Sequence, residues 1–303
     1  MSSTAPQPRL YVLLARAAPR AVIFRRGPSK SVLMIAWDTE HDTFTEGQWL
    51  RGRLYERRCD LSPGGSLLVY FAAKYKRHIS RLDHPDSFPT WTAVSRPPYF
   101  TALTLWPHGD AWNGGGLFAD ERTLLLNHGS RVPPCAAGFK PPPPSVLAVQ
   151  PLGGPHGEDD TVQHPRLLRD GWQMDDLGRT THTPDGDPRF VIDPPRTYVR
   201  PSPRGKLLLH RIVHGLGRVN GPWYVEELVL EDPGRRRRTT LEGAEWADWD
   251  RGGDLLFARE GKLYRLRARE IAGGPERAVL LADFGPRVFA SCKPPPTATR
   301  WRG

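Results

Sequence analysis

The sequence is poor in cysteine and has no long hydrophobic run, and both absences limit what the protein can be. Its 303 residues include only 3 cysteines, which lie far apart and form no Cys-X-X-Cys pair. This pattern argues against a disulfide framework and against zinc binding, and it is typical of reduced thiols in a cytoplasmic protein. Since no segment approaches the ~20 apolar residues of a membrane-spanning helix, we expect no membrane partner.

The short motifs of common active sites are absent as well. No Gly-X-Ser-X-Gly turn presents a serine nucleophile, and no glycine-rich segment continues into the Gly-Lys-Ser/Thr of a phosphate-binding loop. The acidic residues do not have the spacing of a calcium loop. We therefore predict no metal and no cofactor, and the sequence leaves open whether the protein is an enzyme.

Glycine and proline, in contrast, are abundant and dispersed. The chain contains 30 Gly and 32 Pro, whereas hydrophobic residues make up only 38%. Because these two residue types separate short apolar runs, they mark turns and favour an all-β fold over a helical one. A length of 303 residues suits one large domain or two ordinary ones.

One short pattern, a turn followed by a strand, recurs along the chain. Within residues 249–266, Gly252-Gly253 and Glu260-Gly261 are typical of tight turns with positive φ angles, and a run with strand propensity follows each pair. Related turns occur in residues 62–68, 120–125 and 202–208. The sequence therefore predicts a protein built from repeated small β-units.

These turns resemble those of β-propellers. Residues 61–68 (LSPGGSLL), 201–208 (PSPRGKLL) and 248–255 (DWDRGGDL) are similar to the S-P-D-G-X-X-L/I turn of WD-repeat and TolB-like propeller blades. The resemblance implies a propeller-like fold of about five, or about six, four-stranded blades. It implies no functional residues, because one fold hosts many functions.

The predicted layout has a disordered tail at residues 1–9, a propeller-like domain at residues 10–290 and a C-terminal tail at residues 291–303. Residues 129–190 are irregular, and four consecutive prolines at 141–144 exclude a central strand there. We interpret this region as an insertion or a decorated blade. The alternative is two packed β-domains that divide near residues 141–144.

A loop at residues 107–116 combines glycines with aromatic and polar side chains. Its three consecutive glycines, 114–116, would let backbone N–H groups approach a ligand closely. The residues predicted to bind that ligand are Tyr99, Trp106, His108, Asp110, Trp112 and Asn113. The competing interpretation is that the glycines permit a tight crossing between blades while the aromatic rings fill the core.

Two charged segments are further candidate sites. The acidic loop of Asp38, Glu40, His41 and Asp42 would suit a cation or a carboxylate pair for hydrolysis, although the favoured interpretation is a solvated loop. The densest basic run, in a chain of formal net charge +10, is Arg235, Arg236, Arg237 and Arg238. It predicts weak, salt-sensitive contact with phosphates, or else a solvated turn.

The function predicted from the sequence is that of a binding or scaffolding module. Propeller loops would be presented to a protein partner or another macromolecule, with nucleic acid as a weak, non-specific partner, and we expect a monomer. The alternative is a glycan-processing hydrolase that uses acidic residues on the propeller axis. Carboxylates within about 5–10 Å of one another would favour the hydrolase.

Overall fold

The computed structural model describes residues 7–27, 30–75, 89–153, 158–219 and 221–301, so most of the predicted N-terminal tail lies outside the described residues. The described residues form two compact units. The first lies within Met1–Arg166 and Pro286–Gly303, and the second is Leu167–Gly285. Strands in five sheets dominate both units, which confirms the predicted all-β class.

The first sheet is an antiparallel meander of four strands at the start of the first unit. Its strands are β1 (Arg9–Leu14), β2 (Arg20–Arg26), β3 (Ser31–Asp38) and β4 (Thr43–Arg51). The sequence pattern places the fourth strand at residues 48–55, which is wrong at both ends. β4 begins directly after the turn that follows β3, and a register shift opposite Leu33 and Ile35 lets it accommodate Gly47.

The second and third sheets supply the remaining strands of the first unit. The second contains β5 (Arg53–Leu54), β6 (Asp60–Leu61), β7 (Leu68–Ala73), β8 (Thr90–Ser95) and β9 (Ala102–His108). The third contains β10 (Gly116–Phe118), β11 (Thr123–Leu126) and β12 (Ala148–Pro151). All pairings in these sheets are antiparallel except that of β11 with β12. That pair is parallel because the chain crosses over between the two strands, through the segment that contains the four prolines.

Two apolar layers join these three sheets. Phe24 of the first sheet and Tyr70 of the second belong to one buried cluster. Val69, Trp106 and Phe118 belong to another, between the second and third sheets. Since successive residues of a strand point to opposite faces, Val69 and Tyr70 show that the second sheet is buried on both sides. Consecutive sheets of the first unit therefore stack face to face in chain order.

Residues 129–190, irregular by their sequence pattern, contain regular elements. The only α-helix in the described part of the chain, α1 (Asp160–Arg169), is longer than the single turn that Pro165 leads one to expect. Pro165 lies inside the helix and lacks the N–H that would donate to the carbonyl four residues earlier, so contacts outside the helix have to offset this loss. The buried side chain of Arg166 also anchors α1, because it donates to Cys59 O and to the Tyr11 hydroxyl.

The second unit holds the fourth and fifth sheets. The fourth contains β13 (Gln173–Asp176), β14 (Arg179–His182), β15 (Phe190–Pro201), β16 (Leu208–Leu216), β17 (Tyr224–Asp232) and β18 (Arg237–Thr240). The fifth contains β19 (Trp246–Trp249), β20 (Leu255–Arg259), β21 (Lys262–Leu266) and β22 (Val279–Asp283). One buried cluster, which includes Leu209 and Leu230 on the fourth sheet and Trp249 and Phe257 on the fifth, packs the two together.

The recurrent turns have the same local geometry in both units. They join β6 to β7, β15 to β16 and β19 to β20. In each, a glycine N–H donates to the carbonyl three residues earlier, as Gly205 does to Ser202 O at 2.7 Å and Gly253 does to Asp250 O at 3.2 Å. The φ angles of Gly205 and Gly253 are +66° and +90°, which confirms the predicted turn position, whereas Gly252 does not share the positive φ predicted for it.

Valine in place of Gly205 should lower the free energy of unfolding by about 1–3 kcal/mol. A β-branched residue is strained at positive φ, and no atom lies within 4 Å of the added Cβ, so the loss reports backbone strain alone. Denaturation by urea measures the change. The matched control is Gly109→Val, which also meets no atom within 4 Å but has no positive φ, and it should change stability little. If the two variants had equal urea midpoints, Gly205 would not occupy the turn position with positive φ.

Candidate functional site

The glycine-containing loop at the end of β9 brings four of its six predicted residues together. His108 Nε2 lies 3.1 Å from Asp110 Oδ1, and the same oxygen accepts a hydrogen bond from Trp112 N–H at 2.8 Å. Partial burial disfavours the ionised carboxylate of Asp110, but the N–H group of Trp112 and the His108 ring lower its pKa. Asn113 follows, with its side-chain oxygen buried and without a hydrogen-bond partner in the described structure.

The other two predicted residues lie elsewhere. Trp106 is 1% exposed and packs in the core between the second and third sheets. Tyr99 precedes β9, so the whole strand separates it from His108. The aromatic residue that the loop does present is Trp112, which is 55% exposed. The predicted stacking surface is therefore reduced to one ring.

The N–H groups of two loop glycines already have protein partners. Gly114 N–H donates to Asn127 O at 2.7 Å, and Gly115 N–H donates to the Thr92 hydroxyl at 2.8 Å. A Cβ on Gly114 would lie 2.1 Å from the ring of Phe71. These contacts favour the competing interpretation, in which the glycines allow the loop to pack closely against the second sheet.

A buried arginine anchors the same loop through its backbone carbonyl groups. Arg58 is 3% exposed, and its Nη1 donates to Ala111 O at 2.6 Å and to Asn113 O at 3.1 Å. Its Nε pairs with Asp159 Oδ1 at 2.6 Å. The guanidinium also lies 5.3 Å from the centre of the Phe71 ring. The loop is thus fixed by charge-assisted hydrogen bonds, which are stronger than neutral ones.

Two histidines meet beside the loop. The rings of His108 and His128 lie 4.9 Å apart, and His128 Nε2 lies 2.8 Å from the Thr92 hydroxyl. That hydroxyl also accepts from Gly115 N–H, so it links the histidine ring to the loop backbone. Burial and the neighbouring His108 lower the pKa of His128 to about 3. His128 is therefore a neutral, structural histidine.

Acidification should destabilise the protein through His128. Its pKa is about 3 in the folded state and about 6.5 in an unfolded chain. Between these values the unfolded chain binds more protons, so the contribution is complete above about pH 6.5 and falls by up to about 1.4 kcal/mol per unit below it. Urea denaturation at several pH values measures this slope. His128→Gln has no titrating ring and should show a shallower slope, and an unchanged slope would contradict the assignment.

The acidic loop forms hydrogen bonds within itself. Asp38 Oδ1 accepts from the N–H groups of Glu40 at 2.9 Å and His41 at 3.1 Å, and Asp38 Oδ2 lies 3.1 Å from His41 Nδ1. The backbone N–H and the ring of His41 lower the pKa of Asp38, and in turn Asp38 raises the pKa of His41. Asp42 Oδ1 accepts from the indole of Trp37 at 3.2 Å. The oxygens of Asp38 therefore stabilise the turn between β3 and β4.

The four arginines of the basic run lie in the hairpin between β17 and β18, and three of them have partners. Arg235 Nη1 lies 3.3 Å from Asp232 Oδ2, and Arg238 Nε lies 3.5 Å from Glu231 Oε2. Arg237 Nη1 donates to a backbone carbonyl, Ala272 O, at 3.1 Å. Arg236 takes the turn position at φ +50°. The run is thus partly neutralised, which weakens it as an anion site.

A surface pocket of about 430 Å³ in the first unit was not predicted from the sequence. We call it the aromatic–basic groove. Its walls are Trp49, Leu50, Arg51, Lys74, Trp91, Phe289 and Ser291. They come from the edge strand β4, from the residue that follows β7, from β8 of the second sheet, and from the segment after residue 286, which lies within the first unit. A volume of a few hundred Å³ is typical of ligand sites.

Side chains of β4 hold the C-terminal wall of the groove. Arg287 pairs with Glu46, and Gln48 Nε2 donates to Cys292 O at 3.1 Å. Between these two anchors Phe289 reaches the groove. Its ring centre lies 5.9 Å from that of Trp49, at an interplanar angle of 50°. Residues in the predicted C-terminal tail therefore help to build a site.

Arginines stack on the rings of the groove. The guanidinium carbon of Arg51 lies 3.9 Å from the centre of the Phe289 ring, and that of Arg25 lies 5.6 Å from the centre of the Trp49 ring. Along the chain from Arg51, the guanidinium of Arg53 lies 4.5 Å from the Tyr55 ring. Such cation–π pairs order long side chains that would otherwise be mobile.

Two exposed cations of the groove, and Arg53 beyond it, have no acidic partner among the residues that the structure describes. Within the described part of the chain no carboxylate pairs with Arg51, Arg53 or Lys74, and all three side chains are exposed. Phe289 is 43% exposed, and the rings of Trp49 and Trp91 are partly exposed. The groove therefore combines apolar ring surface with positive charge that the described residues leave uncompensated.

No three histidine, cysteine or acidic side chains among the described residues lie together in a way that would hold a metal ion. No helix in the described ranges is long and apolar enough to cross a membrane. The sequence matches no protein-family model, and no similar curated protein was found. The function therefore has to be argued from the structure.

Proposed function

We propose that the protein is a binding module that contacts a protein or another macromolecule through the aromatic–basic groove. The observation that carries the proposal is the groove itself, in which Trp49, Trp91 and Phe289 line a pocket with the exposed cations Arg51 and Lys74. Aromatic residues and arginine are enriched at macromolecular interfaces and dominate their binding energy. A fixed, partly exposed aromatic surface costs little entropy to present.

A propeller-like arrangement of about five blades is part of the proposal. Three features support it. The sheets follow one another in chain order, most of them as antiparallel meanders. Consecutive sheets stack face to face within each unit. Two recurrent turns touch each other, since Gly64 N–H donates to Glu121 Oε2 at 2.7 Å, and the turn between β1 and β2 touches the first of them, since Ala17 N–H donates to Pro63 O at 2.8 Å.

Binding has more support than glycan hydrolysis. The two carboxylates of Asp38 and Asp42 serve the turn that contains them, and Asp110 accepts hydrogen bonds from its own loop. A hydrolase needs one carboxylic acid with a raised pKa beside an ionised partner, whereas the pKa values of Asp38 and Asp110 are lowered, and Asp248, whose pKa is raised by burial, is paired with Arg200. The proposal includes a monomer in the cytoplasm; the three unpaired cysteines support the reducing compartment.

Comparative capture from an extract of the source cells tests the proposal. Immobilised wild-type protein is compared with the double variant Arg51→Gln/Phe289→Leu, and retained proteins and nucleic acids are identified in the same experiment. The control, Arg204→Gln/Lys206→Gln, removes two exposed cations from a turn of the second unit. A macromolecule that is retained by wild type and control but lost from the groove variant is the expected result. Equal retention by all three, or turnover of a glycan panel, would overturn the proposal.

A further inference from the structure

We propose that the aromatic–basic groove binds a single-stranded segment of nucleic acid, with a base stacked on its rings and phosphates on its cations. This inference rests on the proposed function and specifies its partner. It follows from three properties of the groove: the sign of its charge, the exposed faces of its rings, and the continuation of both along the surface.

The charge of the groove selects an anionic ligand. Arg51 and Lys74 are exposed and have no carboxylate partner among the described residues. A cationic ligand, such as those that bind in purely aromatic cages, would be repelled here. A phosphate chain, in contrast, would supply the missing counter-charge without an acidic group of the protein.

The rings of the groove select a ligand with a flat, unpaired face. Trp49 and Phe289 are inclined at 50° to each other, and Arg51 already stacks on Phe289 at 3.9 Å. Bases stack on aromatic rings and on guanidinium planes alike. In a duplex these faces are covered by neighbouring base pairs, so the groove suits a single strand. A pocket of about 430 Å³ has room for one base with its sugar.

Pairs of a ring and a cation continue beyond the pocket. Arg53 follows Arg51 after a single glycine and lies over Tyr55, whose hydroxyl is 3.3 Å from that of Tyr75. Tyr75 is 52% exposed and adjoins Lys74. A basic surface that carries aromatic rings at intervals is the arrangement by which single-strand-binding proteins follow a backbone. We therefore infer a strand rather than a free nucleotide as the ligand.

Fluorescence anisotropy with labelled probes tests the ligand class. The probes are oligothymidylate and oligouridylate of about 12 nucleotides, within the footprints of known single-strand-binding folds, a blunt DNA duplex of the same length, and an oligoglutamate peptide. We expect one or both single strands to bind with much higher affinity than the duplex and the peptide. Comparison of oligothymidylate with oligouridylate shows whether the ligand is DNA or RNA. Binding of the duplex or the peptide as tightly as the strands would overturn the inference.

Ring and charge variants locate the binding. Phe289→Leu keeps an apolar side chain but loses the stack, and should weaken binding roughly 5- to 150-fold, which corresponds to the 1–3 kcal/mol of one base stack. Phe289→Tyr keeps an aromatic ring and should bind the single strands as wild type does. Arg51→Gln and Lys74→Gln should each reduce the slope of log K against log salt by about 0.7, the value for one phosphate of a single strand.

The matched control is again Arg204→Gln/Lys206→Gln, which removes one arginine and one lysine from the second unit and should leave affinity for the single strands unchanged. Thermal melting of every variant shows whether it is folded. If Phe289→Leu is folded and binds as wild type does, the inference is wrong. If no oligonucleotide binds while capture still yields a groove-dependent protein, this inference fails and the proposed function stands. If capture also yields no groove-dependent macromolecule, both this inference and the proposed function are wrong.

Discussion

Arg58→Met is expected to lower the free energy of unfolding by about 3–5 kcal/mol. Methionine fills much of the space of the aliphatic stem, so the loss comes from the guanidinium. Without it, Asp159 keeps a largely buried carboxylate that lacks its 2.6 Å partner, and the carbonyls of Ala111 and Asn113 lose their donor. Removing one partner of a buried ion pair typically costs about this much, because an unpaired buried group retains its full desolvation penalty.

Urea denaturation measures this loss, and the neighbouring arginine is the control. Arg53 is exposed and makes no ion pair with a described carboxylate, so Arg53→Met should alter stability by no more than about 0.5 kcal/mol. The double variant Arg58→Met/Asp159→Asn should recover part of the loss, since it also removes the carboxylate charge that Arg58 neutralises. A loss below about 1 kcal/mol for Arg58→Met would contradict the anchoring role given to this side chain.

The fold class could be predicted because the turns and short apolar runs that indicate it each depend only on residues adjacent in the sequence. A turn such as Asp250–Asp254 needs a glycine at positive φ, and Gly253 stands where the pattern requires it. The strand bounds were less predictable. β4 starts at Thr43 because pairing with β3 resumes directly after the turn, and cross-strand pairing is not visible in a single segment. The extent of α1 depends on Arg166, whose partners lie more than a hundred residues earlier.

The candidate site was less predictable than the fold, because it depends on contacts between distant segments. The aromatic–basic groove joins Trp49 of β4 to Phe289, and no local pattern connects two residues so far apart. One signal was available in the sequence, since two cations, Arg51 and Arg53, lie between the rings of Trp49 and Tyr55 at every second position of a single stretch. The loop after β9, in contrast, was conspicuous in the sequence because its glycines are consecutive, yet those glycines serve packing.

Gly115→Ala is expected to destabilise the protein by about 3–5 kcal/mol, although it adds a single methyl group. The φ angle of Gly115 is +83°, a region in which a residue with a Cβ is strained by about 1–3 kcal/mol. In addition, the new Cβ would lie 2.2 Å from Arg58 O and 2.7 Å from Arg58 Cβ. Relieving that overlap costs about another 1–3 kcal/mol, and a shift of the loop also weakens the hydrogen bond from Gly115 N–H to Thr92.

The same loop provides the control for this prediction. Gly109 has no positive φ, and a Cβ added there meets no atom within 4 Å, so Gly109→Ala should leave the urea midpoint nearly unchanged. Because the strain at Gly115 also displaces the backbone that Arg58 holds, Gly115→Ala and Arg58→Met should be less than additive when combined. Full additivity would mean that the two residues act on separate parts of the structure. A midpoint for Gly115→Ala equal to that for Gly109→Ala would show that the loop does not pack against the backbone of Arg58.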